Sequence, residues 1–163
     1  MLEHHTHTFP IFIDKDSKIF ILGSFPSVKS REQMFYYAHP QNRFFKVLFT
    51  LFNEEYSSDI SKRKELLKKH KIALYDVIEE CDIEGSADNT IMNIKPIDIK
   101  TILEIYPNIK LIATTGSKAA SLFDKYLLDK IGNRMVVHLP STSPANAKMK
   151  LVELVEKYKE LIR

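Results

Sequence analysis

The sequence is short of residues that several classes of protein require. It has one cysteine, Cys81, in 163 residues. A disulfide framework, a cysteine-rich zinc site and a cysteine-ligated iron–sulfur cluster each need several thiols, so the sequence excludes all three. No apolar run approaches the roughly 18 residues that span a bilayer, and the first residues lack the basic and hydrophobic regions of a signal peptide. We therefore expect a cytoplasmic protein with no membrane contact.

The net charge is small, and the sequence has only four glycines. The formal net charge of +3 permits contact with a polyanion without indicating one. The length and the 44% hydrophobic content indicate one domain over residues 1–163 with a single core. Residues 1–8 carry His4, His5 and His7, and we expect this segment to be flexible. A flexible segment offers no fixed geometry to a metal ion, so these histidines do not predict a metal site.

Four short, continuous apolar runs predict buried strands, at 18–22, 72–75, 111–114 and 135–139. Amphipathic segments predict helices at 43–52, 61–70, 98–106, 117–130 and 146–161. Alternating strands and helices are typical of an α/β fold with a parallel sheet, where ligand sites gather at the carboxyl ends of the strands. The loops that follow the strands, at 23–42, 76–93, 115–117 and 140–146, are therefore the candidate site.

Two of these loops combine residues that bind ligands. The first contains Gly23-Ser24-Phe25-Pro26-Ser27 and then Tyr36-Tyr37-Ala38-His39-Pro40-Gln41-Asn42-Arg43. Backbone N–H groups after a strand-end glycine can receive an anion or a carbonyl oxygen, and a plain turn is the alternative. Tyrosine rings stack planar ligands, and core packing is the alternative for this pair. The last loop, Ser141-Thr142-Ser143-Pro144-Ala145-Asn146, suits either phosphate binding or helix capping.

Together these segments resemble the uracil-DNA glycosylase superfamily, and most closely its hypoxanthine-DNA glycosylase branch, followed by the mismatch-specific uracil glycosylases. The resemblance extends from about Lys18 to the final helix. It implies a three-layer α/β/α sandwich with a central four-stranded parallel sheet. It also implies a monofunctional DNA glycosylase that flips a deaminated base, preferably hypoxanthine, out of damaged DNA and hydrolyses its N-glycosidic bond. Such enzymes need no metal or other cofactor.

The resemblance places catalysis on Asn42. Many members of the superfamily carry Asp or Asn at the position of Phe25, where it positions the water. The side chain of a phenylalanine cannot hold a water molecule by hydrogen bonding. In the hypoxanthine branch an asparagine further along the loop takes this role, and Asn42 matches it. Its carboxamide can accept from a water and donate to a sugar or base oxygen, which suits positioning better than strong base catalysis. Capping of the helix near Arg43 is the alternative role.

The resemblance also implies a base-binding set and a DNA-binding set. The ring of Tyr37 stacks on the flipped base, and the backbone N–H groups of Ser24 and Phe25 face a base carbonyl beside Gly23. Asp76 accepts from N1–H of hypoxanthine; Tyr75 is the alternative reader, and a loop cap is the alternative role for Asp76. The residues that grip phosphate or enter the duplex are Ser27, Ser141, Ser143, Pro144, Ala145 and Asn146.

Two other functions remain open from the sequence. Uracil excision from G·U mismatches belongs to the same enzyme class. A non-catalytic nucleic-acid or nucleotide-binding module with this fold is favoured only by Phe25 at the usual water-binding position. In each case we expect a monomer, with a basic face near the loops formed by Lys29, Arg31, Arg43 and Lys148.

Overall fold

The main sheet has four parallel strands, as predicted. The computed structural model describes residues 1–84 and 87–163, and its parallel strands are β2 (Ile19–Gly23), β3 (Ile72–Asp76), β6 (Leu111–Thr115) and β7 (Met135–Leu139). Their spatial order is β3-β2-β6-β7. Every residue of β3 is buried, which explains the continuous apolar run.

The described residues form six α-helices in addition to this sheet: α1 (Val28–Gln33), α2 (Phe44–Leu51), α3 (Ile60–Lys69), α4 (Ile99–Ile105), α5 (Ser117–Tyr126) and α6 (Leu151–Tyr158). Asp98 caps α4 by accepting from the Thr101 N–H, as helix chemistry predicts. The last helix begins later than the predicted residue 146, because 144–146 form a separate 3-10 turn. A parallel sheet flanked by helices confirms the predicted α/β class. No helix in the described residues has the length and apolar character needed to cross a membrane.

A second sheet was not predicted. It is antiparallel, with the order β1-β4-β5, and consists of β1 (Glu3–Thr6), β4 (Ile78–Ile83) and β5 (Met92–Pro96). We expected residues 1–8 to be flexible and 76–93 to be a loop, but both segments contain strands. β1 and β5 have few buried side chains and are held mainly by backbone pairing, so they leave no apolar pattern in the sequence.

Helix α6 anchors the last loop through Tyr158. This tyrosine is fully buried, its ring contacts that of Phe44, and its hydroxyl donates to the carbonyl of Pro140 at 2.7 Å. Burial raises the pKa of the Tyr158 hydroxyl, so it remains a neutral donor. The segment that follows β7 is thereby tied to the core.

We expect Tyr158→Phe to lower the free energy of unfolding by about 1–2 kcal/mol, because it leaves the partly buried Pro140 carbonyl without its donor. Urea unfolding followed by circular dichroism measures this loss. Tyr126→Phe is the matched control, since the Tyr126 hydroxyl has no hydrogen-bond partner in the described residues, and its cost should stay below about 0.5 kcal/mol. Equal losses in the two variants would contradict the anchoring role.

Candidate active site

The carboxyl ends of the parallel strands surround one pocket of about 440 Å³. Strand register places Gly23 beside Asp76, and Thr115 ends the neighbouring strand. Every site residue predicted from the sequence except Asn146 lines this pocket: Gly23, Ser24, Phe25, Ser27, Tyr37, Asn42, Asp76, Ser141, Ser143, Pro144 and Ala145. The structure therefore brings the first loop, the end of β3 and the last loop together.

Asn42 joins the first loop to the last. Its Oδ1 accepts from the backbone N–H of Phe44 at 2.9 Å and from the Thr142 hydroxyl at 2.8 Å, which uses both lone pairs. The first bond is the helix cap considered as an alternative. The Nδ2 group has no hydrogen-bond partner in the described residues, so its two donors are available to the pocket. Asn42 can thus orient a water molecule by donating to it from Nδ2. We expected Asn42 also to accept from a water, but both lone pairs of its Oδ1 already accept from protein groups.

Tyr37 is fixed in a strained backbone conformation. Its φ is +53°, in the left-handed region that bulky residues rarely adopt. The ring stacks on Phe44, with centroids 3.8 Å apart and planes 14° from parallel, and the hydroxyl forms a 3.0 Å hydrogen bond with Thr115 Oγ1. Burial raises the pKa of this hydroxyl, and the charge of Asp76 adds to the effect. Phe44 covers one face of the ring, while Tyr37 as a whole lines the pocket.

The neighbouring Tyr36 belongs to the core. It is 3% exposed, and its hydroxyl donates to the carbonyl of Pro10 at 2.8 Å. The core-packing alternative therefore describes Tyr36, although it also borders the pocket, whereas the stack on Phe44 fixes the Tyr37 ring at the pocket wall.

Asp76 lies at the pocket floor, where Gly23 makes room for it. A Cβ atom at position 23 would lie 2.5 Å from Asp76 Oδ1, so the glycine is required by the approach of the carboxyl group. Tyr75, the alternative reader, does not line the pocket and donates its hydroxyl to Glu79 at 3.1 Å. Of the two candidates, only Asp76 can meet a ligand in this pocket.

His7 is a site residue that the sequence analysis missed. Its Nε2 lies 2.8 Å from Asp76 Oδ2, its Nδ1 lies 3.0 Å from the carbonyl oxygen of Phe9, and its side chain has no solvent exposure. The rings of Tyr75 and Phe9 lie 4.2 and 4.6 Å from the imidazole, centroid to centroid. Three histidines among the first seven residues suggested a solvated terminus. The apolar stretch at 9–13 was the available signal that this segment packs against the core.

The turn after β2 presents a backbone donor. Val77 N–H donates to the Gly23 carbonyl at 2.8 Å and Ile78 N–H to the Ser24 carbonyl at 3.1 Å, which fixes the turn. The Phe25 N–H has no hydrogen-bond partner among the described residues. The Phe25 side chain is buried edge-on to His7, with ring centroids 6.1 Å apart. This residue therefore supplies a backbone donor and an apolar wall.

Arg43 braces the last loop from behind. Its guanidinium donates to the carbonyls of Met149 at 2.5 Å and Asn146 at 3.0 Å. Asn146 donates from Nδ2 to the Ser141 carbonyl at 2.9 Å, so it supports the loop without lining the pocket. Pro144 and Ala145 are exposed at the rim. The Arg43 guanidinium is therefore used to hold the last loop, and the prediction that it forms part of a basic face for DNA is not supported by these contacts.

Lys29, Arg31 and Ser27, which the sequence analysis placed near the site, each contact another residue of the protein. Lys29 pairs with Glu32 at 3.4 Å, and Arg31 lies over the Phe25 ring. The hydroxyl of Ser27 caps α1 by accepting from the Ser30 N–H at 3.1 Å. Ser27 lines the pocket as well as capping the helix.

The other N-terminal histidines lie on the second sheet. His4 contacts Asp82 at 2.8 Å and Glu80 at 3.3 Å, and the hydrogen bond to Asp82 raises the pKa of His4. Within the part of the chain that the structure describes, no three His, Cys, Asp or Glu side chains are grouped so as to hold a metal ion.

Comparison with known proteins identifies a family model and relatives that match this chain. A family model described as the uracil DNA glycosylase superfamily matches residues 10–163. Two curated proteins named hypoxanthine DNA glycosylase are 35% identical to the chain. The one from Methanosarcina barkeri aligns over 112 residues, 68% of this chain and 71% of that protein. The one from Methanosarcina acetivorans aligns over 140 residues, 85% and 86% respectively.

A solved structure shares the fold as well. It is a solution NMR structure from Methanosarcina acetivorans, provisionally described as a uracil DNA glycosylase, with a TM-score of 0.77 and 30% sequence identity. The match covers 95% of this chain and 97% of that one.

We expect Gly23→Ala to lower the free energy of unfolding by about 1–3 kcal/mol, because the added methyl group overlaps the Asp76 carboxyl that His7 holds in place. Urea unfolding measures the loss. In an Asp76→Ala background the same methyl should cost less than about 0.5 kcal/mol, since its obstacle is gone. Additive losses would mean that the methyl meets another group.

Proposed function

We propose that this chain, which belongs to the uracil DNA glycosylase superfamily, excises hypoxanthine from DNA. The superfamily model covers nearly the whole chain, and both named relatives align over two thirds of it or more. As a DNA glycosylase, the protein hydrolyses the bond between a damaged base and its deoxyribose, leaving an abasic site. The enzyme class and the fold expected from the sequence are thereby confirmed. The preference for hypoxanthine is supported by the names of the two relatives and by the polar groups of the pocket.

The observation that carries the proposal is the pairing of Asp76 with the Phe25 N–H in one pocket. Asp76 offers an acceptor oxygen, and Phe25 offers a backbone N–H donor that has no hydrogen-bond partner within residues 1–84 and 87–163. Hypoxanthine has a donor at N1–H next to an acceptor at O6, which complements these two groups. Adenine presents an acceptor at N1 next to its amino donor, so it meets like groups on both sides. A base flipped into this pocket can therefore be read along its Watson–Crick edge.

Hydrolysis needs a positioned water and stabilisation of the departing base. In our proposal the flipped base stacks on Tyr37, and Nδ2 of Asn42 donates to a water oxygen below C1′. A lone pair of that water forms the new bond to C1′, the electrons of the broken C1′–N bond go to the base, and the proton that the water loses passes to the departing base, which is released in its neutral form. The Phe25 N–H then faces the base oxygen on which negative charge develops. Asn42 acts here by orientation, because its Oδ1 is already occupied.

The last loop is our proposed DNA contact. Ser143, with Ser141 and Ser27, lies at the pocket wall, where hydroxyl groups can bind phosphate oxygens. The exposed Pro144 and Ala145 form a small wedge, which is braced because the Asn146 side chain donates to the Ser141 carbonyl and the Asn146 carbonyl accepts from Arg43. A small wedge suits a damaged base pair that is already weakly held. One chain supplies the complete pocket, which supports action as a monomer, and we propose the cytoplasm as its location.

Uracil excision from G·U mismatches is the second candidate function. Uracil also places a ring N–H beside a carbonyl oxygen, so the same Asp76 and Phe25 groups fit it. The two candidates are separated only by assay.

We expect the protein, in excess over a duplex with a single deoxyinosine, to leave an alkali-labile site at that position. Denaturing electrophoresis after alkali treatment detects the cleaved strand, and the undamaged duplex is the control. A cleaved uracil strand beside an intact deoxyinosine strand would establish the uracil alternative. Binding of both duplexes without cleavage of either would favour the non-catalytic module.

Asn42→Ala should slow single-turnover excision by about 100-fold or more, because the water loses its positioning donor. Duplex binding by anisotropy should be retained. Thr142→Val is the matched variant, since it removes one hydrogen bond to Oδ1 and leaves Nδ2 in place; its excision should fall by less than about tenfold. Similar rate losses in both variants would assign Asn42 a structural role only.

A further inference from the structure

We propose that His7 is a positioning residue for base recognition. Through its hydrogen bond to Asp76 it keeps Oδ1 of that carboxyl group a hydrogen-bond acceptor towards the pocket, so the site takes bases that carry a ring N–H. This inference rests on the proposed function and names the chemical feature of the base that is read.

The hydrogen bonds of His7 fix the number of protons at this position. The carbonyl of Phe9 can only accept, so Nδ1 of His7 carries a proton. The 2.8 Å contact between Nε2 and Asp76 Oδ2 then holds one further proton. Either an imidazolium donates to a carboxylate, or a carboxylic acid donates from Oδ2 to a neutral imidazole. In both arrangements the shared proton lies between Nε2 and Oδ2, and Oδ1 remains an acceptor.

The free oxygen reaches the pocket. None of the described residues hydrogen-bonds Asp76 Oδ1. Every fully buried side-chain nitrogen or oxygen in the described residues has a partner, so an oxygen without one must contact open space. Asp76 lines the pocket, and its Oδ1 approaches the floor at Gly23.

A permanent acceptor at this position distinguishes deaminated bases from their parents. Deamination of adenine gives hypoxanthine and deamination of cytosine gives uracil, and in each case a ring nitrogen changes from acceptor to N–H donor. An oxygen that only accepts binds the deaminated form and repels the lone pair of the parent base. If the carboxyl proton could move to Oδ1, this discrimination would be lost.

The shared proton also lowers the electrostatic cost of the site. Negative charge develops on the departing base, and an isolated carboxylate beside it would oppose that charge. His7 and Asp76 together carry no net charge in either arrangement. The pair can therefore accept from the base without adding a net negative charge at the pocket floor.

The direct test is the binding of free hypoxanthine and free adenine, measured by calorimetry. Wild-type protein should bind hypoxanthine at least about tenfold more tightly, equivalent to about 1.4 kcal/mol. His7→Leu should reduce the ratio to within about threefold, because Asp76 loses its proton partner. His7→Gln should keep most of the preference, since its amide can donate to Asp76 Oδ2. Both variants lack the aromatic ring, so a packing effect alone would affect them equally.

Asp76→Asn provides a second variant of nearly identical shape. A neutral His7 with its proton on Nδ1 accepts from the Asn amide, which turns the amide oxygen to the pocket. Asp76→Asn alone should therefore keep the preference for hypoxanthine, and Asp76→Asn combined with His7→Leu should lose it. Urea unfolding of each variant shows whether binding follows stability instead.

Several outcomes overturn the inference. These are equal ratios for His7→Leu and His7→Gln, a wild-type preference retained in His7→Leu, an adenine preference in Asp76→Asn, or wild-type protein that binds the two bases equally or binds neither. Deoxyinosine excision is assayed on the same preparations. Wild-type protein that leaves deoxyinosine intact contradicts the proposed function, while the calorimetry still decides the role of His7.

Discussion

A buried hydrogen bond between His7 Nε2 and Asp76 Oδ2 joins the beginning of the chain to the carboxyl end of β3. His7 directly follows β1, and Asp76 is the last residue of β3, separated from β4 only by Val77. The bond therefore fastens the antiparallel sheet to the parallel sheet at the floor of the pocket. Because aromatic rings surround the imidazole, Nε2 of His7 and Oδ2 of Asp76 depend on each other for a polar partner.

The rest of the site is assembled from the two ends of the sequence in a similar way. Asn42 in the first loop contacts Thr142 in the last, and Arg43 holds the backbone that follows it. The strained backbone of Tyr37 persists between its stack on Phe44 and its hydrogen bond across the pocket. All of these contacts are between groups of the protein itself, so they fix the positions of the donors and acceptors in the pocket. Such preorganisation is what electrostatic stabilisation of a departing base requires.

The sequence predicts the parallel sheet well because burial on both faces leaves continuous apolar runs, as in β3. It predicts the helices from their periodicity, and the pocket residues from a composite motif spread over two loops. It does not predict β1, whose sequence Glu-His-His-Thr is mostly exposed and is held by backbone pairing. His7 was missed for the same reason, since its partner Asp76 lies 69 residues away. The supporting role of Arg43 likewise depends on carbonyls that no sequence pattern identifies.

A crystal structure of the protein bound to a duplex with a hydrolysis-resistant deoxyinosine analogue tests the account most directly. We predict a flipped hypoxanthine with N1 within about 3.2 Å of Asp76 Oδ1 and O6 within about 3.2 Å of the Phe25 nitrogen, with the His7 to Asp76 contact retained. A flipped base whose O6 faces Asp76, or whose N1 contacts another residue while Asp76 turns away, would contradict it.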